Sequence, residues 1–201
     1  KDLNPAVLSV MAERENICKC LHLPVQSGNN RVLESMNRRY TREKYLSIIE
    51  KARELMPDIA ITTDIIVGFP GETTAEFEDT LSLLEEVRYD ALFSFIFSPR
   101  KGPPAEKMQD VLTEAEKKAN FERLLEVQNR ISYEKNAALR RKTLRVLCEG
   151  KSKTDEDKMT GRTEDGKIVN FAGDISQTGQ FVDIKITEAK TWNLQGEAVC
   201  R

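Results

Sequence analysis

The feature that most constrains this chain is the run Ile59-Ala60-Ile61-Thr62-Thr63-Asp64-Ile65-Ile66-Val67, which stops at Gly68-Phe69-Pro70-Gly71. β-Branched side chains dominate it, and these suit a pleated strand better than a helix. Alternation sets Ile59, Ile61, Thr63, Ile65 and Val67 on one face and Ala60, Thr62, Asp64 and Ile66 on the other. Gly and Pro end the strand, and Thr73 with Glu76 predicts a capping box for a helix whose apolar side carries Phe77, Leu81, Leu84 and Val87. Strand, tight turn and amphipathic helix in that order form one βα unit of a parallel sheet. Asp64 then lies toward the carboxyl end of its strand, where α/β barrels keep functional groups.

Two more units flank this one. Strands are predicted at 17–25 and 91–98, the second broken afterwards by Pro99, Pro103 and Pro104. Helices are predicted at 30–37, at 42–55 behind Thr41 as N-cap, and from the Thr113–Glu116 capping box to about residue 139. Phe121, Leu124, Leu125 and Ile131 give the last one an apolar stripe, and Leu3, Val7, Leu8 and Met11 begin the chain in helical periodicity. Three strand–helix units in series suit a right-handed parallel arrangement. A sheet of three strands leaves edges uncovered, so a missing partner portion and edge-mediated association are both expected.

The texture changes near residue 140. Short strands at 143–149, 158–162, 168–171, 181–189 and 191–200 follow, with Glu164-Asp165-Gly166-Lys167 as a turn. Five strands in about sixty residues is the size of an OB-like barrel, a frequent nucleic-acid-binding fold. We therefore divide the chain into an α/β part, 1–139, and an all-β part, 140–201.

Composition narrows the partners. The formal net charge is −2, with 20 Lys+Arg against 23 Asp+Glu in residues 1–140 and 11 against 10 in residues 141–201. No broad basic field exists, so RNA binding has to come from local patches and shape. No apolar run is long enough to span a bilayer, and the start is no signal peptide. Cys18, Cys20, Cys148 and Cys200 are too few and too scattered for a disulfide framework, only Cys18-x-Cys20 comes near a metal-ligand spacing, and they read as buried free thiols.

Three stretches bear polar groups suited to chemistry. In an extended strand Cys18, Cys20, His22 and Gln26 share a face that ends in Gln26-Ser27-Gly28, like the lining of a cavity. His22 is the only histidine, and neither a nucleophile elbow nor a zinc-protease motif accompanies it, so a hydrogen-bonded structural role is its competing reading. The Gly68–Glu72 turn either offers amides and a helix N-terminus to an anion or is simply a tight βα turn with Asp64 bonded locally. Arg38 and Arg39 either bind a carboxylate or form a solvated helix end, and without further context the second reading is preferred.

Taken together, the runs HLPVQSGNNRVLESMNRRYTREKY (22–45), ITTDIIVGFPGET (61–73) and FSPRKGPPAEKM (97–108) closely resemble the radical-SAM methylthiotransferases. TGRTEDGKIVNFAGD (160–174) and VDIKITEAKTWNLQGE (182–197) resemble the TRAM domain of the MiaB-like branch, which methylthiolates isopentenyl-adenosine beside the anticodon of tRNA. The resemblance covers essentially the whole chain. It implies a partial radical-SAM (β/α) barrel, its C-terminal half, followed by a small OB-like TRAM barrel. It further implies S-adenosylmethionine as cofactor and iron–sulfur clusters, one of them held by a C-x-x-x-C-x-x-C motif through thiolates. That motif is absent from these 201 residues, so the cluster ligands lie outside them and the piece is expected to be inactive alone.

The resemblance also assigns residues. Gln26 and Ser27 match a loop that contacts S-adenosylmethionine, and Arg38 is placed to bind its carboxylate. Asp64 would face the barrel interior as the catalytic candidate, and Gly68, Gly71 and Glu72 would shape the cofactor or substrate site. In the TRAM part Arg145, Lys151, Lys153, Arg162 and the junction cluster Arg140-Arg141-Lys142 are expected phosphate contacts, the cluster having a helix-dipole role as its other reading. Phe171 and Trp192 are stacking candidates, with core packing as the alternative. The implied partner is the anticodon stem-loop of tRNA, in the cytoplasm. Two other functions fit the residues: a stand-alone RNA-binding module with a non-catalytic barrel remnant, and a SAM- or phosphate-binding α/β protein without radical chemistry.

Overall fold

A computed structural model describes residues 4–98, 110–153 and 155–199. Pro99, Pro103, Pro104, most of the 97–108 run and Cys200 lie outside the described residues. The chain divides into two compact units, Lys1–Arg14 with Leu21–Ile131, and Glu15–Cys20 with Ser132–Arg201.

The first unit is a three-stranded sheet with helices. Its elements are α1 (Pro5–Glu13), β1 (Cys20–His22), α2 (Asn30–Ser35), α3 (Arg42–Leu55), β2 (Ala60–Val67), α4 (Thr74–Val87), β3 (Ala91–Ile96) and the start of α5 (Glu114–Ala137). The strand order is β1-β2-β3, and β2 runs parallel to β3 with Asp64 beside Phe93 and Ile66 beside Phe95. The alternation read from the sequence holds from Ile61 onward, Ala60 being buried as well. Ile61, Thr63, Ile65 and Val67 are fully buried, while Thr62, Asp64 and Ile66 are partly exposed.

The helices begin where the caps predict. The Thr73 hydroxyl accepts from the Glu76 amide, and Glu76 accepts in return from the Thr73 amide at 2.9 Å. Thr113 and Glu116 repeat the arrangement ahead of α5. Each such cap contributes about 1 kcal/mol. From α4, Phe77, Leu81, Leu83, Leu84 and Val87 are buried, and α3 adds Tyr45, Ile49 and Ala52. The Tyr89 hydroxyl donates to that of Tyr45 at 3.1 Å, so two buried phenols satisfy one another.

Two local expectations change. The strand predicted at 17–25 shrinks to Cys20–His22, and beyond it the pairing with β2 slips where Val25 N–H turns to the Thr63 hydroxyl instead of a β2 carbonyl. Leu23 donates to Thr62 O and Gln26 to Asp64 O, so three residues advance on one side while two advance on the other. The buried Thr63 hydroxyl bridges the irregularity, accepting from Val25 N–H at 3.0 Å and donating to Leu23 O at 2.9 Å. Cys20 and His22 still share a face of β1, but Cys18 and Gln26 lie outside the strand. Cys18 is exposed and Cys20 partly so, against the buried thiols expected; Cys148 is buried. On α5 the buried stripe is Lys117, Asn120, Leu124, Gln128 and Ile131, while Phe121 and Leu125 are only partly buried. Gln128 takes its place there by donating to Tyr89 O at 2.9 Å.

The second unit is a closed barrel of β4 (Thr143–Lys151), β5 (Met159–Thr163), β6 (Ile168–Phe171), β7 (Phe181–Ala189) and β8 (Leu194–Ala198), in the order β4-β5-β6-β8-β7. A single 3-10 turn, Ile175–Gln177, precedes β7. Val146, Cys148, Met159, Val169, Phe171, Ile184, Ile186 and Leu194 fill its core. The expected α/β part followed by a small β-barrel is the architecture found. The last strand is shorter than predicted, because Thr191 and Trp192 form the bend ahead of it.

Candidate functional site

The parallel sheet turns one face to its helices and leaves the other accessible. On the accessible face, His22 Nδ1 lies 2.9 Å from Thr62 Oγ1, and His22 Nε2 lies 3.5 Å from Asp64 Oδ1. The side chains of His22 and Asp64 are partly exposed, so His22 is not a core histidine. Phe93 meets the imidazole edge to face at 6.2 Å between ring centres, and Phe93 and Phe95 are each about 60% exposed. A histidine and a carboxylate framed by aromatics can hold a proton or hydrogen-bond a polar ligand edge. Part of this was legible, since period two gave the placement of Asp64. The exposed aromatics of β3 were not singled out from the sequence.

At the carboxyl end of β2 the Gly68–Glu72 turn is built from within. Gly68 (φ 70°) donates its amide to Glu72 Oε2 at 2.6 Å, and Glu72 donates its own to Phe69 O at 2.8 Å. The Lys117 side chain lies across Gly68, where a Cβ would stand 2.6 Å from Lys117 Cγ, so only glycine fits. Glu72 is 1% exposed, and its second oxygen, Oε1, has no hydrogen-bond partner. Burial is the main reason its carboxyl is pushed up to about 7, against the pull of the Gly68 amide. Gly71 (φ 83°) gives its carbonyl to Arg31 Nη2 at 2.6 Å, and the same guanidinium holds Glu76. Bonding to Arg31 keeps Glu76 down at about 2. Arg31 thus locks the turn to α4. The only sequence signal for it was an arginine in the first turn of a short helix.

The Gln26-Ser27-Gly28 segment is enclosed rather than offered to solvent. Gln26 (φ 74°) pairs with Ile65 in a parallel bridge and is 8% exposed. Ser27 is fully buried, with its hydroxyl 3.5 Å from that of Thr80, and Gly28 N–H donates to Thr80 Oγ1 at 2.9 Å. Arg38 is exposed after the end of α2 and has no salt-bridge partner among the described residues.

On the barrel, Arg140, Arg141, Lys142, Arg145, Lys151, Lys153 and Arg162 are all exposed. Arg162 is partly engaged, its Nε lying 3.1 Å from Glu149 Oε1. Phe171 is buried to 1% in the barrel core, so the packing reading applies and the stacking one does not. Trp192 is 64% exposed. An aromatic not singled out from the sequence, Phe181, is also exposed, with the Arg145 guanidinium 4.1 Å from its ring centre. Among the described residues no group of three His, Cys, Asp or Glu side chains comes together to hold a metal ion, and no helix is long and apolar enough to cross a membrane.

Comparison with known proteins matches residues 2–84 to the Radical SAM superfamily and residues 137–199 to the TRAM domain. A protein of Thermoanaerobacter sp. (strain X514) named tRNA-2-methylthio-N(6)-dimethylallyladenosine synthase is 52% identical over 199 residues, covering 99% of this chain and 42% of its own length. Proteins of the same name are 50% identical in Clostridium botulinum (strain Langeland / NCTC 10281 / Type F) and 48% in Alkaliphilus oremlandii (strain OhILAs), over 99% of this chain and 44% and 42% of theirs. The chain therefore spans about two fifths of the length of the curated relatives it matches. The chain thus joins a Radical SAM segment to a TRAM domain, and along nearly its whole length it shares half of its residues with these synthases.

Proposed function

We propose that this chain is part of an enzyme that adds a methylthio group to C2 of isopentenyl-adenosine next to the anticodon of tRNA, acting in the cytoplasm. The observation that carries this reading is the identity of about half over 99% of the chain to synthases of that name. In this reading residues 1–139 supply one side of the radical-SAM barrel and residues 140–201 hold the anticodon stem-loop.

The residues present fit the two implied cofactors differently. No cluster ligand set exists among the described residues, so no iron–sulfur step is assigned to them. Parts of the first unit suit S-adenosylmethionine. Arg38 is exposed, unpaired among the described residues and able to grip a carboxylate through two parallel bonds. Glu72 keeps one buried oxygen without a partner at the carboxyl end of β2. Held by such residues, S-adenosylmethionine would supply radical chemistry and a methyl donor. Ser27 and the Gly68 amide are already bonded within the protein, so they serve by fixing the shape of the Gln26–Gly28 and Gly68–Glu72 loops. Asp64, beside His22, is the candidate acid–base group on the accessible face.

The reading is tested in two arms. Anaerobic reconstitution with iron and sulfide should give no cluster on this chain and no cleavage of S-adenosylmethionine; turnover by it alone would refute the reading that its cluster ligands lie elsewhere. Titration of an anticodon stem-loop should show salt-dependent binding, and Arg140→Ala with Arg141→Ala should reduce the salt slope by about two. Unchanged affinity and slope would remove the junction patch from the RNA contacts.

A further inference from the structure

We infer that the barrel carries a base-stacking site, built by Phe181 and Arg145, that takes one unpaired nucleobase of an RNA. The inference rests on the reading that this domain holds RNA, and it assigns that role to a place on the barrel.

Alternation along β7 turns Ile184 and Ile186 into the core and leaves Phe181 and Lys185 outside. Phe181 therefore contributes little to the fold, yet it exposes 60% of a large aromatic side chain. On the neighbouring strand Arg145 stands in register with Asp183, two residues along β7 from Phe181 and on the same face, and lays its guanidinium over the ring at 4.1 Å. The two side chains form a short stack of planar groups. Both have faces on which a heteroaromatic ring stacks, and the guanidinium adds positive charge.

The stack borders a cavity of about 520 Å³ whose other walls include Gln177, Gln180, Asp183 and Val199. That volume falls within the roughly 300–1,000 Å³ of small-ligand sites. Gln177 Oε1 accepts from the Asp174 amide and Gln180 Nε2 donates to Ser176 O, which fixes both side chains at the rim. The other atom of each amide, a donor on Gln177 and an acceptor on Gln180, suits the edge of a nucleobase. A phosphate alone would need no aromatic floor, and an apolar peptide side chain would gain nothing from the cation. The mixture of aromatic, guanidinium and polar rim suits an extruded or loop base, the form in which RNA is read.

The test uses the full chain and a hairpin RNA with 2-aminopurine in its loop, beside a blunt duplex of similar length. Wild type should bind the hairpin and quench the fluorescent base. Phe181→Leu should weaken hairpin binding about tenfold or more and abolish the quench, with duplex binding and salt slope unchanged. Phe181→Trp should restore affinity. If Phe181→Leu binds and quenches like wild type, the stacking site is refuted while RNA binding stands. Equal loss on hairpin and duplex also refutes it, because a base-stacking site has no purchase on paired bases. Failure of the wild type to bind either RNA overturns the parent reading itself.

Discussion

Glu72→Gln is expected to make the first unit more stable in neutral and mildly alkaline solution and to change little in acid. The Glu72 side chain is enclosed, one oxygen takes the Gly68 amide at 2.6 Å, and the other has no partner. Its carboxyl is raised from the ordinary 4.5 to about 7, burial being the main cause. That gap corresponds to about 3 kcal/mol, at ~1.36 kcal/mol per pH unit. The folded state binds this proton more tightly than the unfolded chain does. The stabilisation is therefore complete below about pH 4.5 and is lost as the pH rises through about 7. Glutamine keeps an acceptor for the Gly68 amide and removes the charge. Urea unfolding followed by far-ultraviolet circular dichroism should find the variant about 2–3 kcal/mol more stable at about pH 8, converging with wild type below about pH 5. A difference independent of pH, or a variant less stable at about pH 8, would refute the argument that an uncompensated buried carboxylate strains this turn.

Glu76 should act in the opposite sense. Arg31 holds its carboxyl at about 2, so its contribution is present above about 4.5 and lost as the pH falls through about 2. An acid titration of Glu76→Gln should lack that part of the transition. Gly28→Ala would put a Cβ 2.5 Å from the Asp79 carbonyl oxygen and 2.6 Å from Thr80 Cα, both backbone atoms. A cost of about 2–3 kcal/mol is expected, read as a lower urea midpoint for the first unit. Phe171→Ala should empty the barrel core and cost about 3–5 kcal/mol in thermal unfolding, whereas Trp192→Ala on the surface should leave the melting temperature nearly unchanged.

The sequence made some levels of this structure legible and hid others. The capping boxes at Thr73 and Thr113 are written in four-residue patterns, Thr41 stands as a single N-cap, and each helix begins behind its cap. Strand β2 was legible because alternation and β-branching agree along its length. The Gln26–Gly28 segment was misleading because what fixes it is non-local: Thr63 repairs its ladder and Thr80 receives Ser27 and Gly28. The polar stripe of α5 was hidden for a related reason. Gln128 is buried to satisfy a carbonyl thirty-nine residues earlier, and no periodicity argument counts that carbonyl. Phe181 was readable in principle, since period two from Ile184 and Ile186 sets it outside. Its pairing with Arg145 needed the register between β4 and β7.

That register has a consequence for how the barrel assembles. Arg145 and Phe181 sit on strands thirty-six residues apart in the chain that meet only across the β4–β7 pairing. Such a pair forms after a long loop has closed, and closing it costs more entropy than pairing neighbours in sequence, as β4 with β5. The aromatic–guanidinium stack is therefore absent from any intermediate in which β7 has not yet docked on β4. A ligand held by the stack favours the shut barrel over every open form, so its concentration should raise the barrel's unfolding temperature by mass action.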